Sequence, residues 1–267
     1  RADWGDKPGD DGELTLAWCA KETGNEIYLE KKKVLQSPES MGKLFRLAGP
    51  GLVWLSQFEP KTDTELPLAW KGDGPNSVVF FRGGKDDPRN YYFGGKGGSA
   101  SLSHGNMDAG SFVFELDGVR WVVDPGTQSY NEVEQAGFDL WGRCQHCQRW
   151  TLLTKNNFGH STLSVDDVLF NVKGSARIID YKPGNNPETT IDMSEIYAGH
   201  LKDAQRKFIK DSDHSITIED QFDLGDSTES LTWAIMTTAE VIPTKNGAIL
   251  KQDGRQLNLT LLFPDNV

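Results

Sequence analysis

From about residue 78 onward, apolar and polar residues alternate in short runs with a period of two. That period marks half-buried β-strands. Ten segments fit: Val78–Arg82, Tyr91–Gly94, Phe112–Leu116, Val119–Asp124, Arg149–Thr154, Ser161–Val165, Ala176–Tyr181, Ser215–Asp223, Leu231–Met236 and Gln256–Leu262. Turn chemistry separates them. Leu116-Asp117-Gly118 predicts a tight hairpin and Asp253-Gly254 another. Asn185-Asn186-Pro187 and Lys245-Asn246-Gly247 predict loops. Strands with no long helix between them imply antiparallel sheets, most simply two packed face to face.

The first 75 residues follow a different pattern. Glu13–Glu22 gathers Leu14, Leu16, Ala17, Trp18 and Ala20 on overlapping positions of a helix, with Asp10 or Asp11 as its N-cap. Ser37–Leu47 predicts a second short helix, with Ser37 as cap and Pro38 in the first turn. Helices this short bury no core alone. The segment reads as the end of a helical domain. The expected division is therefore helical for residues 1–75 and antiparallel sandwich for 76–267. The last strand runs directly into the chain end, so the sheet is expected to be incomplete there.

The hairpin over Phe112–Asp124 carries the strongest pattern. Phe112, Phe114 and Leu116 share one face, and Val119, Trp121 and Val123 share another. Apolar residues also occupy the opposite faces, so a central hairpin covered on both sides is expected. In a tight hairpin the start of one strand lies beside the end of the next. The loop 103–110 should therefore lie near Asp124. Ser103 to His160 also holds three of the chain's five histidines. Polar groups at the ends of buried strands are aimed with little entropy cost.

Composition narrows the class. The chain has 267 residues, 37% hydrophobic and 25% charged, with eight Trp, thirteen Phe and six Tyr. These values describe a globular chain with a real core. No apolar run reaches bilayer length. The opening RADWGDKPGDDG is polar and turn-rich, which is not the pattern of a leader, although a processed chain would look the same. The net charge of −11 disfavours nucleic acid and anionic membranes as partners. Three cysteines make a poor disulfide framework. Cys144 and Cys147 have C-x-x-C spacing, which leaves an incidental or structural pair, a local disulfide, or part of a metal site open. The first is the expectation.

Ser103-His104-Gly105-Asn106-Met107-Asp108-Ala109-Gly110-Ser111-Phe112, then Trp121-x-x-Asp124-x-Gly126-x-x-x-Tyr130, then Asn157-x-x-His160-Ser161-Thr162-Leu163 together resemble the C-terminal β-sandwich of the heparinase II/III-like polysaccharide lyases. The likeness is strongest over residues 78 to 170. It implies an antiparallel β-sandwich preceded by the end of an (α/α) toroid. It implies β-elimination on a uronic-acid polysaccharide, with the active site between the two parts. That chemistry needs a group that neutralises the uronate carboxylate, a base for the C5 proton and an acid for the leaving oxygen.

Residue roles follow from the resemblance position by position. His104 matches the motif histidine that faces the active site, as a base or as a hydrogen-bond donor on the carboxylate side. Tyr130 would line the sugar cleft, by stacking or as a proton donor. Asp124 and His160 match metal ligands. Asn106 stands where many relatives carry a further histidine, and an amide oxygen is a weak third ligand for zinc. A divalent cation, zinc or calcium, would be structural. Failing a cation, Asp124 would simply orient the His160 ring. Arg149, Arg143 and Lys155 would add positive charge, with Arg149 as the substrate-binding candidate and strand-surface solvation as the plainer account of all three.

The resemblance further implies an anionic polysaccharide or oligosaccharide ligand and a toroid, in the same protein or another chain, that supplies the remaining catalytic groups. It implies a periplasmic or secreted location. The alternative is a non-catalytic carbohydrate-binding or structural sandwich. A hydrolase is disfavoured, because Asp108 and Asp124 are the only defensible carboxylates and each has a better structural role.

Overall fold

A computed structural model describes residues 12–29, 48–59, 67–84, 87 and 89–263. The helix expected over Ser37–Leu47, and the caps Asp10 and Asp11, lie outside these residues. The chain divides at Pro67/Leu68 into two compact units.

The helical unit contains α1 (Gly12–Thr23), a 3-10 turn (Glu26–Leu29) and α2 (Ala48–Ser56). α1 buries Ala17 and Ala20, and it packs on α2. It ends at Gly24, whose φ of 66° suits a left-handed cap and whose N–H donates to Ala20 O. No helix among the described residues is long and apolar enough to cross a membrane.

The second unit is built of antiparallel sheets. Five strands pair in chain order: β1 (Ala69–Gly72), β2 (Val78–Arg82), β3 (Tyr92–Lys96), β4 (Phe112–Leu116) and β5 (Val119–Val122). A later set pairs in the order β10-β9-β8-β7, from β7 (Arg177–Lys182), β8 (Glu188–Asp192), β9 (Leu201–Ser212) and β10 (Ser215–Leu224). β6 (Leu163–Val165) pairs with β11 (Leu231–Trp233), while β12 (Glu240–Thr244), β13 (Gly247–Gln252) and β14 (Arg255–Thr260) form a meander. The two larger sheets meet at Phe208 of β9, whose ring lies 4.8 Å from Phe93 of β3 and 5.9 Å from Phe112 of β4. Gly95 makes this contact possible: a Cβ there would sit 2.8 Å from the Phe208 ring. The mainly β, antiparallel sandwich expected from the sequence is what forms.

Both predicted hairpin turns form as expected. Asp117-Gly118 and Asp253-Gly254 all have positive φ, the signature of two-residue type I′ turns. The β4–β5 hairpin is covered on both faces, but it is not central. β5 ends the five-stranded order, and Val123 N–H donates beyond it to Met236 O at 2.9 Å.

The strand expected over Arg149–Thr154 is instead a 3-10 turn, Gln148–Thr151, followed by turns. Its amides bond locally, Trp150 N–H to Cys147 O and Leu152 N–H to Arg149 O, which leaves no ladder for a neighbour. Five strands escaped the pattern: β1, β8, β9, β12 and β13. β9 shows why. Its inward positions are Ala204, Arg206, Phe208 and Lys210, so the period of two is intact but half of the buried face is cationic.

Arg206 compensates its burial fully. Its Nε and Nη2 donate to the two oxygens of Asp220 on β10, both at 2.7 Å, and Nη1 donates to Gly110 O at 2.8 Å and Ser161 O at 3.2 Å. Removing one partner of a buried pair strands the other charge, at about 3–5 kcal/mol. Asp220→Ala should lower unfolding stability by that order in urea titration. Asp220→Asn, which keeps an acceptor, should lose less.

Candidate functional site

The site is built on the connection between β3 and β4. Its backbone is bonded on several sides. Gly105 N–H donates to Leu102 O, and Met107 N–H to Lys155 O at 2.9 Å. Ala109 O accepts from Thr162 Oγ1 at 3.1 Å, and Gly110 O accepts from Arg206. Asp108 is buried in an ion pair with Lys96. His104 sits at the outer corner of this loop with φ 57°, in the left-handed region, and its side chain is exposed.

Tyr130 arrives from the other direction. Asp124 Oδ1 accepts from Gly126 N–H, and Gly126 has φ 74°, which turns the chain out of β5. Ser129 caps α3 (Tyr130–Gln135), so Tyr130 opens that short helix. His104 Nδ1 and Tyr130 Oη lie 3.3 Å apart, with the two rings nearly parallel at 10°. The indole of Trp141 stands edge-on to both, at 5.8 Å from His104 and 5.1 Å from Tyr130.

Lys155 completes the group from below. It is fully buried, its Nζ lies 5.8 Å from the Tyr130 ring centre, and its carbonyl holds Met107. Burial pushes its amine down to about 8, because desolvation penalises the charged form.

Asp124 and His160 form a pair with each other. His160 Nδ1 is 2.8 Å from Asp124 Oδ2, and both side chains are buried. Asn106 has a different neighbour. Its Oδ1 lies 3.5 Å from Arg149 Nη2, which also donates to Gly105 O at 2.8 Å. The expected surface arginine is thus buried, and its charge supports the backbone beside His104. Its guanidinium stacks on Trp150, 4.5 Å from the ring centre.

The three residues matched to metal ligands do not make a finished donor set as arranged. Asp124 uses both oxygens, on Gly126 and His160, and Asn106 faces a guanidinium. A second cation beside Arg149 is electrostatically unfavourable. His160 Nε2 is buried with no hydrogen-bond partner and is the one donor nitrogen left. No cluster of three His, Cys, Asp or Glu placed for a metal occurs among the described residues.

Two features were not legible in the sequence. Trp141 has no periodic partner, and its place comes from a local turn in which Asp139 Oδ1 accepts from Trp141 and Gly142 N–H. Cys144 and Cys147, expected to be an incidental or structural pair with a local disulfide as the alternative, form the disulfide. The bridge closes the loop between Trp141 and the turn that carries Arg149.

Comparison with known proteins gives a consistent result. The family model "Heparinase II/III-like, C-terminal" matches residues 92–265. The heparan sulfate lyase HepC from Pedobacter heparinus is similar in structure, with TM-score 0.60 and 17% identity over 96% of this chain and 35% of that one. A mutant of the same lyase gives TM-score 0.61 and 17% identity over 94% and 34%. A heparinase III gives TM-score 0.54 and 15% identity over 88% and 33%. The chain spans about a third of the length of these structures. A search of curated proteins by sequence gives no match.

The depressed Lys155 sets a sign for pH. Folding binds this proton less tightly than the unfolded chain does. The cost is fully present below pH 8 and is relieved as pH rises toward the usual lysine value near 10.5. Urea midpoints measured across that window should rise with pH from this residue. Lys155→Met should remove that part of the rise and be the more stable protein at neutral pH.

Proposed function

This chain belongs to the heparinase II/III-like family, matched over that family's C-terminal domain, and on that premise we propose that it forms the β-sandwich side of a uronate polysaccharide lyase. The observation that carries the reading is the His104–Tyr130 pair: two proton-transfer groups 3.3 Å apart on an open face, held by a loop that is bonded from beneath.

β-Elimination removes a proton α to a carboxylate and expels a glycosidic oxygen. The pair suits this chemistry, because one hydrogen bond links a group able to accept a proton to one able to give it. His104 acts as the base or as a donor on the carboxylate side. Tyr130 donates toward the leaving oxygen or lines the cleft. The Lys155 ammonium behind the phenol favours negative charge developing on Tyr130. Arg149 does not reach the sugar in this reading; it holds the backbone that presents His104.

The other catalytic groups, including the one that neutralises the uronate carboxylate, come from a toroid in the same protein or another chain. The ligand is an anionic, uronate-containing polysaccharide. Heparan sulfate is the first to test, because the structural relatives include lyases named for it. The acidic net charge speaks against nucleic acid and anionic membrane as partners. A periplasmic or secreted location fits the Cys144–Cys147 disulfide, which persists in oxidising compartments.

A second reading, a non-catalytic carbohydrate-binding sandwich, is favoured by the exposed ring of Trp141. A third concerns the metal alone: of the zinc or calcium ion that the resemblance implies, His160 Nε2 suits zinc and not calcium, and zinc would need Asp124 to turn from its present partners to join it.

Unsaturated uronate products absorb in the ultraviolet and are read directly. Uronate polymers mixed with this chain and its toroid portion should yield them, and this chain alone should not. His104→Ala should lower the rate by about 10²–10⁴-fold. Binding without elimination in the complete protein would select the second reading. Elemental analysis of protein purified without chelators should find well under one equivalent of zinc or calcium; one tightly held equivalent would replace the hydrogen-bonded account of Asp124 and His160.

A further inference from the structure

Trp141 is 45% exposed, in a stretch from Asn131 to Gln148 where most residues are exposed or half-buried. A singly exposed tryptophan is ordinary, and Trp70 is 50% exposed; Trp141 differs in being bonded in place against His104 and Tyr130. This one is rigid. Its indole N–H donates to Glu134 on α3. Its backbone N–H and that of Gly142 donate to Asp139 Oδ1 at 3.2 and 3.1 Å. Asp139 N–H in turn donates to Gln148 Oε1 at 2.8 Å, and Cys144–Cys147 closes the same loop. The ring is also in contact with both members of the proposed catalytic pair, at near right angles of 87° and 81°.

A fixed, half-exposed indole at right angles to two parallel rings makes a corner. Pyranose rings present C–H groups of slight positive charge on one face, and these meet the negative face of an indole favourably. A uronate residue also carries a carboxylate, which turns away from an apolar ring toward solvent and cations. We infer that Trp141 is a saccharide-stacking subsite, taking the apolar face of a pyranose in the uronate chain beside His104 and Tyr130. It rests on the reading of this face as a uronate site. Trp141 binds and orients the chain; it takes no part in proton transfer. Glu134 is a positioning residue that fixes the indole by accepting its N–H.

The test is a titration of this chain together with its toroid portion with a heparan-sulfate-derived tetrasaccharide, read by calorimetry and by indole fluorescence. Trp141→Ala should weaken binding about tenfold, the size of an aromatic stacking contact. Trp141→Phe should keep binding within about threefold, because a ring face remains. Equal thermal unfolding midpoints would show that the variants fold. Binding by wild type and Trp141→Ala with equal affinity, while His104→Ala weakens it, would overturn the subsite and leave the uronate site standing. No binding by wild type to this or to unsulfated uronate tetrasaccharides would overturn the subsite together with the reading beneath it.

Discussion

The buried guanidinium of Arg206 is the constraint on which the site depends. A fully buried cation is tolerated only if its donors are satisfied. Its partners come from three separate regions: Asp220 on the next strand, Gly110 at the end of the His104 loop, and Ser161 beside His160. One side chain thus ties the second sheet to both halves of the site. The loop that presents His104 is fixed at its far end by the core, not by its own sequence.

The near end of that loop is governed by Arg149 and Lys155. Both are buried cations: the Arg149 guanidinium donates to Gly105 O, while Lys155 holds Met107 N–H through its backbone carbonyl and sets its amine 5.8 Å from the Tyr130 ring centre. Lys96 lies beneath it too, with its charge balanced by Asp108. An acidic protein has therefore placed positive charge under the face proposed for an anionic ligand. Net charge alone conceals that arrangement.

Much of this was legible in the sequence, and the reasons for the gaps are physical. Strands such as Val78–Arg82 and Phe112–Leu116 were visible because their alternation is apolar against polar. β9 was not, because Arg206 and Lys210 occupy inward positions and look like solvent-facing residues. Arg149–Thr154 had the composition of a strand, but its amides are spent locally after the Cys144–Cys147 bridge. The motif residues His104, Tyr130, Asp124 and His160 do come together as two pairs. Trp141 could not have been read, since its position is made by a side-chain turn and a bridge and not by any periodicity.

His104 occupies a backbone conformation that most side chains avoid. Among the described non-glycine residues with positive φ, the other five are Asn90, Asp117, Asp166, Asp167 and Asp253. Asparagine, aspartate and histidine enter the left-handed region more readily than other side chains, and each still gives up about 1–2 kcal/mol there relative to glycine. Selection for stability alone would move position 104 toward glycine. A histidine held at this corner marks a trade-off: the fold gives up a little robustness to keep an imidazole pointing outward.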